Sequence, residues 1–93
     1  MQNMKKEIYC TIEGEVQGVF YRAFAKEKAD NLGVFGYAKN TDDGKVEVVA
    51  QGEEETLKTF LESIGAGPEN AQVDSLSIMW GKIEEPYTQF DIL

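Results

Sequence analysis

Arg22 is the single arginine in a chain whose other eight basic residues are lysines. Its guanidinium is a planar, permanently charged fork that grips a phosphate or carboxylate through paired hydrogen bonds, which an ammonium cannot do. Directly before it runs Gly14-Glu15-Val16-Gln17-Gly18-Val19-Phe20-Tyr21. A glycine-punctuated loop entering a helix N-terminus can turn several backbone N–H groups inward, and with the helix dipole these form an anion cradle. Gly18 can take a positive φ without steric cost, which lets successive amides converge. The chemistry on offer is the holding of a phosphoryl group or carboxylate. Taken alone, a two-glycine loop is most simply a turn, and a lone arginine most simply half of an ion pair.

The inventory excludes most other chemistry. There is no histidine, which removes Ser-His-Asp and Cys-His catalysis and every histidine-ligated metal site. Cys10 is the one cysteine and has no partner for a disulfide or a Cys-x-x-Cys pair. It lies twelve residues before Arg22, not at the short spacing of a phosphatase loop, and reads as a small buried apolar residue. Asp42 and Asp43 are adjacent carboxylates without a further ligand motif and read as turn formers. Seventeen acidic against nine basic residues leave a net charge of −8, which argues against nucleic acid as a partner. No apolar run is long enough to span a membrane. The first residues, Met1 to Lys6, lack the apolar stretch of a secretory signal, so the expected location is the cytoplasm.

Placing Arg22 and its loop requires a frame. Ninety-three residues make one domain, residues 1–93. Ile8, Cys10 and Ile12 alternate with Tyr9, Thr11 and Glu13, predicting a half-buried strand that Gly14 to Gly18 interrupts. From Tyr21 the period becomes helical, through Phe24, Ala25, Lys28, Ala29 and Leu32, with Gly33 placed to cap the end. Val34–Lys39 and Lys45–Gln51 read as strands joined by the turn formers Asn40-Thr41-Asp42-Asp43-Gly44. A second helix follows Gly52, with Glu53, Glu54 and Glu55 in its first turn. Leu57, Phe60, Leu61 and Ile64 form its buried stripe, and Gly65-Ala66-Gly67-Pro68 ends it. Leu76, Ile78 and Trp80 predict a fourth strand, and Thr88–Leu93 a short edge strand beyond Pro86. This order predicts an α+β, ferredoxin-like βαββαβ sandwich: an antiparallel sheet with two helices on one face and a short C-terminal edge strand. That fold hosts many activities and decides none of them.

Ile12-Glu13-Gly14-Glu15-Val16-Gln17-Gly18-Val19-Phe20-Tyr21-Arg22 resembles the first signature of the acylphosphatase family. Gly36-Tyr37-Ala38-Lys39-Asn40 with Gly44, Val46 and Gly52 resembles the second. Gly67-Pro68 with Ala71 and Val73 is similar to the family's approach to its fourth strand. One departure is Tyr21, where the family usually carries phenylalanine or methionine. The resemblance implies hydrolysis of the carboxyl–phosphate bond of small acyl phosphates to a carboxylate and inorganic phosphate. It implies that Arg22 and the backbone amides of Gln17, Gly18, Val19, Phe20, Tyr21 and Arg22 hold the phosphoryl group. It further implies that Asn40 positions the attacking water, with Thr41 assisting, and that no metal, cofactor or covalent intermediate takes part.

The residue chemistry agrees with this. A loose phosphoryl-transfer transition state needs positioning and charge stabilisation more than covalent help, so a chain without histidine can run it. An asparagine side chain has an acceptor, two donors and no charge, and can orient water beside an anion without repelling it. Two rival readings share the fold. One is a non-catalytic phosphate- or carbamoyl-phosphate-binding module; the other is a regulatory small-molecule-binding domain with its ligand at a dimer interface. The enzyme reading expects a monomer without nucleic-acid or membrane partners.

Overall fold

The computed structural model describes residues Lys5–Leu93. Its elements are β1 Lys5–Glu15, α1 Tyr21–Leu32, β2 Phe35–Asn40, β3 Val46–Glu53, α2 Glu54–Ala66, β4 Gln72–Gly81 and β5 Phe90–Ile92. The sheet runs β4-β1-β3-β2-β5, with β1 antiparallel to both β3 and β4, and β2 antiparallel to β3. This is the expected ferredoxin-like βαββαβ sandwich. One strand departs from the antiparallel plan: β5 lies parallel to β2, with Gly36 opposite Phe90. The reason is topological. β4 ends at Gly81 beside Glu7, at the start of β1, so the chain must return from that end. The C-terminal ends of β1, β2 and β5 therefore lie at one end of the sheet.

The core follows the alternation in the sequence. Ile8, Cys10 and Ile12 of β1 face Val46, Val48 and Ala50 of β3 under the helices, and all are fully buried. Tyr21, Ala25 and Ala29 of α1 and Leu57, Phe60 and Ile64 of α2 fill the layer above. Phe60 meets Phe90 edge-to-face, with ring centroids 6.0 Å apart, a favoured aromatic geometry. Lys28, the one charged member of the α1 stripe, places its ammonium 5.3 Å from the Phe24 ring centroid at the margin. Gly33 ends α1, its N–H donating to the Asp30 carbonyl.

Several boundaries differ from the pattern. β1 runs on through Gly14 to Glu15, and β2, Phe35–Asn40, takes in Asn40 from the expected turn. Glu53 is the last residue of β3 rather than the first turn of α2, which holds Glu54 and Glu55. Gly65 lies inside α2, which continues to Ala66 before Gly67 stops it. Coverage differs as well. Ile78 and Trp80 share the helix-side face with Cys10 and Ile8, yet are 39% and 44% exposed. β4 is an edge strand, and of its residues only Val73 and Leu76 pack against the core. Alternation specifies the face of a strand, not whether a helix covers it.

The opposite face carries a polar cluster. The Tyr9 and Tyr37 hydroxyls donate to the two carboxylate oxygens of Glu47 at 2.7 and 2.6 Å. Burial would raise the Glu47 carboxyl, but these hydrogen bonds and the nearby Lys39 ammonium outweigh it and hold the group below the usual carboxylate range.

Candidate active site

Each residue of the loop after β1 is fixed by a different device. The register of β1 against β4 shifts between Glu13 and Gly14, a local irregularity of the kind that bends a strand, and pairing continues to Glu15. A Cβ at Gly14 would run into the Gln72 carbonyl oxygen, so only glycine permits the two backbones to approach there. Val16 is buried in the core, and Val19 packs against it. Tyr21 is buried too, and its hydroxyl donates to the Ile64 carbonyl oxygen at 2.5 Å. That carbonyl ends a helix whose next donor, four residues on, would be Pro68, which has no N–H. The phenol substitutes for the missing amide and ties the start of α1 to the end of α2.

Between these anchors the backbone alternates in hand. Gly18 has φ 74° and Phe20 φ 62°, while Val19 and Tyr21 have negative φ. Positive φ at Gly18 and again at Phe20 favours a concave turn, a nest, in which successive N–H groups face one side. Phe20 is the N-cap of α1 and supplies no side-chain cap, and the first turn holds no acidic residue. The first α1 amide with a backbone acceptor is that of Phe24, which donates to the Phe20 oxygen at 3.0 Å. The amides ahead of it form the positive end of the helix, with neither a capping side chain nor a carboxylate against them.

A cleft of about 270 Å³ opens over this nest, lined by Val16, Gly18, Phe20, Tyr21, Arg22, Ala23, Asn40 and Ile92. Five of the residues singled out in the sequence, Gly18, Phe20, Tyr21, Arg22 and Asn40, thus meet in one place. Arg22 donates from Nη1 to the Leu93 backbone oxygen at 2.7 Å. Among the described residues it has no aspartate or glutamate partner, so it is not half of a side-chain ion pair. Four of its five donors are left for an anion. Asn40 ends β2 beside Val46, at the end of the sheet where β1 delivers the loop. Its side chain is exposed.

Gln17 and Val19 do not line the cleft. The Gln17 side chain has a role that its place in the motif did not announce. Its Nε2 donates to the Thr41 and Lys45 carbonyl oxygens at 2.9 and 2.8 Å, tying the loop to the turn that follows Asn40. Ile92 was likewise not foreseen, because its place beside Arg22 depends on β5 running parallel to β2. Thr41 does not offer its hydroxyl to the cleft. It donates to the Asp43 carboxylate and accepts from the Lys45 N–H at 3.1 Å, so it and Asp43 shape the turn. Cys10 is fully buried and burial pushes its thiol up to about 12, which makes it inert as a nucleophile at neutral pH.

The family model for acylphosphatase matches residues 8–92. The chain belongs to the acylphosphatase family. It is 51% identical over 75 residues to the acylphosphatase of Thermus thermophilus, covering 81% of this chain and 85% of that one. It is 43% identical over 89 residues to the acylphosphatase of Caldanaerobacter subterraneus subsp. tengcongensis, covering 96% and 99% of the two chains. The crystal structure of acylphosphatase from Bacillus subtilis superimposes with a TM-score of 0.92 at 33% identity, over 97% of this chain and 99% of that one. The fold is thus that of an acylphosphatase, and membership carries the reaction class, hydrolysis of acyl phosphates.

Proposed function

We propose that the nest over Gly18 to Arg22 holds the phosphoryl group of a small acyl phosphate, that the Arg22 fork adds two donors to it, and that Asn40 orients the attacking water. Water attacks phosphorus, the carboxyl–phosphate bond breaks, and a carboxylate and inorganic phosphate leave. The observation that carries this reading is the convergence, in one cleft, of an uncapped helix N-terminus, an arginine without an aspartate or glutamate partner and an uncharged amide. Charge spreads over the equatorial oxygens in a loose transition state, and donors fixed beforehand stabilise it without reorganisation. The carboxylate is a good leaving group, so no strong acid is called for. The enzyme acts on dissolved small molecules as a cytoplasmic monomer, which gel filtration tests.

Benzoyl phosphate hydrolysis with Arg22 and Asn40 variants tests the roles. Arg22→Lys keeps the charge and loses the fork, and kcat/KM falls at least about tenfold, as expected for one or more charge-assisted hydrogen bonds of about 1.5–3 kcal/mol. Asn40→Ala lowers kcat while inorganic phosphate still inhibits competitively, because its partner is the water. Loss of phosphate inhibition in a folded Asn40→Ala protein would show that the asparagine holds the anion instead. A wild-type protein that binds phosphate without turnover would favour the non-catalytic binding module.

A further inference from the structure

Phe20 is 80% exposed, more than any other large apolar side chain among the described residues. A single exposed ring is unremarkable by itself. This one is also held at φ 62°, as the only non-glycine residue with positive φ among those described. That conformation is costly for a bulky side chain and easy for glycine. Strain kept at a site wall points to a use for the side chain. Its neighbours Val19 and Tyr21 pack inward, while Phe20, in its left-handed turn, is exposed and lines the cleft. Ala23 and Ile92 line the same cleft, and Ile92 is 43% exposed.

The lining of the cleft is of two kinds. Gly18, Arg22 and Asn40 bring polar donors; Phe20, Ala23 and Ile92 bring apolar side chains. An acyl phosphate also has two kinds of surface, with a dianionic phosphoryl group at one end and an acyl group at the other. At about 270 Å³ the cleft falls just under the roughly 300 Å³ at which drug-sized pockets begin, which suits a phosphoryl group and one ring. We infer that Phe20 is the acyl-specificity residue: its ring packs on the substrate's acyl group opposite Ile92, and the enzyme prefers aryl and bulky apolar acyl phosphates to acetyl phosphate. This inference rests on the reading that the nest holds the phosphoryl group. Phosphate makes no use of the ring, so removing the ring separates the two halves of the site.

The test compares benzoyl phosphate and acetyl phosphate in the wild type, Phe20→Ala and Phe20→Gly, with competitive inhibition by inorganic phosphate measured in each. The expected result is a fall of about tenfold in kcat/KM for benzoyl phosphate, in line with loss of one aromatic contact and its buried area. Acetyl phosphate, which has no ring to pack on, loses less, so the ratio of the two kcat/KM values falls. Phe20→Gly, which removes the strain along with the ring, gives the same pattern as Phe20→Ala. If both substrates lose activity together, Phe20 shapes the nest rather than contacting the acyl group, and the inference fails. It also fails if neither substrate is affected. Failure of the underlying reading looks different: in the wild type, phosphate would not compete with either substrate.

Discussion

Gln17 shows how a residue can matter to chemistry without touching the reacting group. Its two hydrogen bonds to Thr41 and Lys45 fix the distance between the loop and the end of β2, and so, in the proposed reaction, between the phosphoryl group and the water on Asn40. Gln17→Met keeps the length and the stem but removes the donors. We expect kcat to fall about five- to twentyfold while phosphate inhibition changes little, because a water misplaced by a fraction of an ångström costs rate rather than binding. Equal losses in both would assign Gln17 to the nest itself. A second prediction concerns pH. Among the groups whose ionisation the fold shifts, every one moves away from neutrality. The Asp43, Glu47 and Glu54 carboxyls go down, the Lys45 and Lys58 ammoniums go up, and so do the Cys10 thiol and the Tyr9, Tyr21 and Tyr37 phenols. An arginine side chain is charged throughout the neutral range, and an asparagine side chain has no ionisation there. The profile of kcat/KM between about pH 5 and 8 should therefore show only a limb that moves with the substrate's own phosphate ionisation. A limb that stays fixed between two acyl phosphates and vanishes in Glu13→Gln or Glu15→Gln would place a carboxylate base in the reaction.

At the scale of elements, the Tyr21 hydroxyl ties the start of α1 to the end of α2 through the Ile64 carbonyl. Tyr21→Phe leaves the Ile64 carbonyl without a donor, since Pro68 cannot supply one. The cost should be about 1–2 kcal/mol, a drop of roughly 5–10 °C in Tm for a domain of this size. Activity per folded molecule should persist, because the ring still fills its place. The Glu47 cluster gives the sheet a pH dependence. Its carboxyl is lowered in the folded state from an ordinary 4.5, so its contribution is complete above that value and is lost as pH falls through the lowered one. Glu47→Gln should flatten the acid limb of a Tm-against-pH curve below about pH 4.5; an unchanged limb would assign acid sensitivity to other carboxyls. Much of this architecture could be read from the sequence. The strands and helices announce themselves by period, and Gly18, Arg22 and Asn40 by motif. What could not be read arises from pairing between distant segments. The parallel return of β5, which brings Ile92 to the cleft, has no local signature. The same holds for the Gln17 bridge over 24 residues and the bareness of Ile78 and Trp80.

For the molecule as a whole, charge works against the reaction. A net charge of −8 repels a dianionic substrate at long range, while the donors of the nest act within hydrogen-bonding distance. Salt distinguishes the two contributions. Raising sodium chloride from about 0.02 to about 0.2 M shortens the Debye length from roughly 20 Å to roughly 7 Å. That removes the repulsion of distant carboxylates and leaves close contacts with Arg22 and the amides largely intact. We expect kcat/KM to rise about twofold over this range, whereas an enzyme that draws its substrate in by long-range attraction would slow. Glu15 offers a local control. It is exposed at the end of β1, next to the loop, so Glu15→Gln should raise kcat/KM in low salt and weaken the salt dependence without altering the folded structure. If kcat/KM instead falls steeply with salt in both proteins, the field at the cleft is attractive despite the net charge. The Arg22 region would then act over a longer range than a single cradle of amides and one guanidinium can account for.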